Sequence, residues 1–158
     1  MMSSVFHPDD SLFEPDESGE VKGVGRIKAA LRKHGVRIGN GVITSRDPGM
    51  QAAQKELKRE VTLPGIEQWL LPIIICPKAD QPILWLMSHM KAGAKVPPHS
   101  HVNGHVRVVV QGSCRFGTVE LQQGDWMLVP AEVPYDLEAG AHGCIWMYPH
   151  PTPPCLEL

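Results

Sequence analysis

Two hydrophobic periods divide the chain. In GRIKAALRKHG, Ile27, Ala30 and Leu31 recur at helical spacing, and Gly35 follows where a glycine commonly ends a helix. A second helical pattern sets Met50, Ala53 and Leu57 on one face, behind Asp47 as the cap and Pro48 at the first helical position. From Val61 onward the period shortens to two, with β-branched and aromatic residues between turn signals. Strands are expected near residues 67–76, 82–90, 96–101, 105–111, 115–121, 126–130, 134–138 and 144–148. With no helical run among them, these short strands predict an antiparallel sandwich or small barrel. Residues 1–22 hold no period and are rich in Asp, Glu, Ser and Pro, which predicts an extended or partly disordered arm.

Composition narrows the function classes. At 158 residues the chain suits one compact domain, and its 15 Gly and 15 Pro fit many tight turns between short strands. The formal charge of -2 and scattered Lys and Arg offer no basic field, so nucleic acid is not an expected partner. The acidic start lacks the pattern of a secretory signal, and Pro72 interrupts the longest apolar run. A cytoplasmic protein without a membrane partner is expected. Cys76, Cys114, Cys144 and Cys155 form no CxxC pair and read as buried free thiols. The Gly23-x-Gly25 pair follows no strand and lacks a third glycine at the offset of a dinucleotide loop.

The candidate chemistry lies in PPHSHVNGHVRVVVQG, residues 97–112, which holds three of the eight histidines. On one strand, His99 and His101 would point to the same face. A two-residue Asn-Gly turn would put His101 and His105 on opposite faces, whereas a three-residue loop with a left-handed Gly104 pairs them directly. In that second register the three imidazoles converge from two neighbouring strands, at cross-strand Cβ distances of about 5 Å, around a divalent transition metal about 2 Å from each nitrogen. The same three side chains on a hairpin also describe a plain solvated patch. Arg107, two residues past His105, shares its face and needs an anion, supplied by Glu120, Glu132 or a substrate carboxylate. Trp126 and Trp146 read as core. His150 belongs to a Pro-rich tail that should leave the sheet, so it is expected at the surface.

Gly93-x5-His99-x-His101-x3-His105-x6-Gly112 resembles the first cupin motif, G-x5-H-x-H-x3/4-E-x6-G, with His105 at the glutamate position. Gly124-x5-Pro130 is similar to the opening of the second motif, G-x5-P-x-G-x2-H-x3-N; there Glu132, Tyr135 and Ala139 replace the glycine, histidine and asparagine. The resemblance covers about residues 82–148 and leaves 1–60 unexplained. It implies an all-β double-stranded β-helix, or jelly roll, with a short partly helical N-terminal extension. The implied organisation is an arm with two short helices over 1–60, a barrel over 61–150 and a tail over 151–158.

The resemblance also implies a divalent metal on His99, His101 and His105, with Fe(II) favoured and Zn(II) or Ni(II) as alternatives. Tyr135 becomes a fourth ligand, or a neutral phenol that moves a proton or holds substrate. Arg107 would orient an anionic group. The implied activity is a non-haem dioxygenase acting on a small dicarbonyl or phenolic substrate. A metal-dependent lyase or isomerase and a non-catalytic small-molecule sensor are the rival readings. A homodimer is expected, as is common among cupins.

Overall fold

The computed structural model describes residues 6, 8–39, 41–75 and 82–151. The two helical patterns form α1, Lys22–Lys33, and α2, Pro48–Glu56. Val24, Ile27, Ala30 and Leu31 of α1 and Met50 and Ala53 of α2 are buried, so each apolar stripe faces the core. Asp47 does occupy the cap position of α2. Its carboxylate, however, turns back to accept the Thr44 N–H at 2.8 Å instead of a helix N–H.

Among the described residues eight strands follow: β1 Lys58–Arg59, β2 Ile66–Ile75, β3 Ile83–Met90, β4 Lys95–His99, β5 His105–Phe116, β6 Val119–Gln122, β7 Trp126–Val129 and β8 Tyr135–Pro151. They pair antiparallel in the order β1-β2-β3-β8-β5-β6, with β4 also on β8 and β7 also on β5. The fold is an all-β jelly roll with a partly helical N-terminal extension, as the motifs imply. Two pairs of expected strands differ. Residues 105–111 and the start of 115–121 form the one strand β5, and 134–138 joins 144–148 in the long β8. Register shifts at Val109/Gln111 and Gly112/Cys114 break the alternation there without breaking the strand. For the same reason Gln111 is exposed although Arg107 and Val109 face inward.

Three further expectations are corrected. Trp126, expected in the core, is 65% exposed, while Trp146 lies fully inside. Residues 8–21 are ordered rather than loose, because a short 3-10 turn at Ser11–Phe13 buries Leu12 and Phe13 in the common core. The tail does not leave the sheet at once: β8 pairs with β3 through Pro149↔Trp85, His150↔Leu84 and Pro151↔Ile83. Pro149 and Pro151 are two apart, so both missing N–H groups fall on one side of the strand, and pairing with β5 has already ended at Met147. Cys114 and Cys144 are buried free thiols on neighbouring strands, and hydrogen bonding to Cys114 together with burial pushes the Cys144 thiol up. Cys76 and Cys155 lie outside the described residues.

Candidate metal centre

The histidines meet by closure of the barrel and not on one hairpin. His99 ends β4 and pairs with Tyr135 of β8, whereas His105 opens β5 and pairs with Val129 of β7. The residues between are a loop that crosses from one strand pair to the other, and Gly104 is not left-handed. His101 sits in that loop, which is anchored where its carbonyl accepts the Glu132 N–H at 2.7 Å. The rings nevertheless converge edge to face, His99 to His101 at 5.1 Å and His101 to His105 at 4.9 Å between centroids. Tyr135 lies 4.4 Å from the His99 ring.

Each imidazole has a defined tautomer. The Nδ1–H of His99 donates to the Pro97 carbonyl at 2.8 Å, because a carbonyl can only accept, and its Nε2 keeps a lone pair. His101 is held the same way by the Asp10 carboxylate, whose oxygens lie 3.1 and 3.2 Å from Nδ1. The His101 Nε2 is buried and has no hydrogen-bond partner. A buried lone pair without a donor is costly in a metal-free protein and satisfied by an ion, so His101 fits a metal. His105 differs: its Nε2 accepts from Arg107 Nε–H and from the Tyr135 hydroxyl, both at 3.2 Å. Burial, then the Arg107 charge, pushes the His105 pKa down to about 2, and burial brings His99 to about 4, so both are neutral donors.

Arg107 points inward as its place two residues past His105 predicts. It is 8% exposed, and its Nη2 donates to the Tyr135 hydroxyl at 3.0 Å. Its guanidinium also lies 4.2 Å from the Tyr148 ring centre. Neither Glu120 nor Glu132 reaches it; both are exposed, and among the described residues Arg107 has no ion pair. Tyr135 is buried, which raises its pKa, so the phenol is neutral at ordinary pH.

Asp10, Tyr148 and His150 belong to the same cluster, and the sequence marks none of them as a site residue. His150 is corrected most: it is 2% exposed, its ring stacked on Phe13 at 3.6 Å and parallel to His105 at 5.6 Å. Its alternation with Trp146 and Tyr148 along β8 was the available signal, hidden by the prolines beside it. Among the described residues, Asp10, His101 and His150 are the group whose donor atoms all lie within 4.8 Å of one another. A cavity of about 400 Å³ opens onto His99, His101, His150, Asp10 and Arg107 and is walled by Phe6, Leu86 and Tyr148. Its volume suits a small organic molecule.

No family model and no curated protein matches the chain. Among solved structures, the polyketide cyclase RemF from Streptomyces resistomycificus is 22% identical with a TM-score of 0.50, over 60% of this chain and 70% of that one. KdgF from Halomonas sp. is 17% identical with a TM-score of 0.49, over 59% of this chain and 85% of that one. An RmlC-like cupin from Shewanella frigidimarina is 19% identical with a TM-score of 0.48, over 59% and 81%. Identities this low show a shared fold and no shared activity.

Proposed function

The fold being that of the cupins, we propose that this chain is a metal-dependent enzyme acting on a small organic anion. One observation carries the reading: the His101 Nε2 is sealed from solvent, held as a lone pair by Asp10 behind the ring, and unsatisfied without an ion. A divalent transition metal centred on His101, with His99 as the neighbouring imidazole of the motif, fits such nitrogen donors. When bound, such an ion supplies Lewis acidity and, as Fe(II), the means of using dioxygen.

The chain's own residues supply the rest. Among the described residues Arg107 has no carboxylate partner, so an anionic group of the substrate entering the cavity would complete its charge pairing. Tyr135 and His105 hold the guanidinium from behind and fix its direction. Phe6, Leu86 and Tyr148 give the cavity an apolar side for the carbon skeleton of the substrate, opposite a lining that is otherwise largely polar. The proposed reaction is dioxygenation of a dicarbonyl or phenolic carboxylate, with both atoms of dioxygen entering the cleaved product. Zn(II) or Ni(II) at the same centre would instead make a lyase or isomerase. That second reading is favoured by the Tyr135 hydroxyl, a neutral proton donor in contact with His105.

Elemental analysis of untagged wild-type protein beside His101→Ala tests the centre. Near-stoichiometric iron, zinc or nickel that disappears in the variant is the expected result. Absence of metal in both proteins, after anaerobic reconstitution, would leave a small-molecule-binding cupin. An oxygen electrode then separates the two reactions across a panel of dicarbonyl and phenolic carboxylates: turnover with oxygen uptake supports the dioxygenase, and turnover without it supports the lyase.

A further inference from the structure

Among the described residues, the group whose donor atoms all lie within 4.8 Å of one another joins His101 to two residues from outside 97–112, Asp10 and His150. Asp10 sits just before the Ser11–Phe13 turn, and His150 sits near the end of β8. The arm that carries Asp10 is fastened: Arg59 donates to the Asp9 carbonyl at 2.6 Å and lies over the Phe13 ring, and the Asp9 carboxylate accepts the Ser11 N–H at 3.0 Å. Phe13 in turn stacks on His150 with the two planes 8° apart. One short segment therefore touches two of the imidazoles that face the cavity.

His105, by contrast, has its Nε2 lone pair engaged by two donors, one of them a guanidinium. An ion on that nitrogen would have to displace Arg107 and leave a buried cation without its acceptor. His105 also does not line the cavity, whereas His101 and His150 do.

Resting on the metal-centre reading above, we propose that the ion is held by His101 together with His150, and that the N-terminal arm positions both, Asp10 by locking the His101 tautomer and Phe13 by locking the His150 ring plane. Asp10 is thus a positioning residue: it accepts the Nδ1–H and so aims a basic Nε2 inward. His105 serves Arg107 and Tyr135 instead of the ion. The centre is consequently built from three separate segments, the arm, the β4–β5 loop and the end of β8.

Competition titration of the metal-free full chain with Co(II) and Zn(II) tests this. Asp10→Ala should weaken binding about 10–100-fold, the usual effect of losing the carboxylate behind a ligand histidine, and Asp10→Glu should recover part of it. His150→Phe keeps an aromatic ring on Phe13 and should weaken binding by more than about 100-fold, beyond the loss of an outer partner. His105→Gln should shift affinity by less than about 3-fold, well below that outer-partner effect. Wild-type affinity in Asp10→Ala, even with a lowered melting temperature, would reduce the arm to a structural role and overturn the proposal. Retention of metal by His150→Phe with its loss in His105→Gln would overturn it in favour of His99, His101 and His105, while the metal-centre reading stood. Failure of the wild type to bind either ion would overturn both.

Discussion

His105 shows how one residue's surroundings decide its chemistry. Its side chain is 1% exposed and faces Arg107, so protonation would place two cations side by side out of water. Its pKa falls to about 2 and that of His99 to about 4, burial being the larger cause in both, against an ordinary 6.5. A depressed folded value means that the unfolded chain binds more protons between these limits. Stability is therefore complete above pH 6.5 and declines as the pH falls through about 4 for His99 and onward toward about 2 for His105. Metal-free protein should lose about 5 °C or more of melting temperature between pH 7 and pH 5. A flat profile in chelator would show that the imidazoles are solvated. That His99, His101, His105, Arg107 and Tyr135 lie side by side was legible, the histidines and the tyrosine from motif positions and Arg107 from alternation along its strand. Asp10 is 91 residues from His101 in sequence, a pairing that no local spacing reveals.

Elements explain what the glycine positions of the motifs require. Gly112 ends the first motif, has φ +75°, and a Cβ there would lie 2.1 Å from the Gly143 carbonyl oxygen, where β5 crosses β8. Backbone against backbone cannot yield, so Gly112→Ala should cost about 3 kcal/mol or more in denaturant unfolding. Glu132 stands at the glycine of the second motif and keeps that glycine's geometry, with φ 60°. Its N–H holds the His101 carbonyl, so the loop that carries His101 depends on this left-handed residue. Glu132→Gly should stabilise the protein by up to about 1 kcal/mol, the cost of a left-handed non-glycine residue. A loss of stability instead would show that the glutamate side chain does more than tolerate the turn. The strand spacing was legible to within a few residues, since alternation marks each pleat. The joining of two expected strands into β8 was not, because Gly140 and Gly143 read as a turn while long-range pairing with β3, β4 and β5 keeps the chain extended.

At the scale of the molecule, the arm, both helices and the barrel share one core. Leu12 and Phe13 of the arm, Ile27 of α1, Ala53 of α2 and Leu70, Leu84 and Trp146 of the sheet belong to a single buried cluster. The interface is close enough that a Cβ on Gly23 of α1 would meet the Leu84 side chain at 2.4 Å. Helices of 12 and 9 residues would be marginal alone, so their order is owed to this packing. Unfolding should accordingly be one transition, with far-ultraviolet circular dichroism of the helices and tryptophan fluorescence of the barrel coinciding. Earlier melting of the helical signal would mean that the extension docks without sharing the core. Metal extends the argument, because an ion whose barrel ligand His101 is held in place by Asp10 of the arm binds only the assembled state. At a free concentration about 100 times its dissociation constant it should add about 2.7 kcal/mol, raising both signals together by about 5–10 °C. A metal-induced rise confined to the fluorescence signal would place the ion in the barrel alone and uncouple the arm from the site.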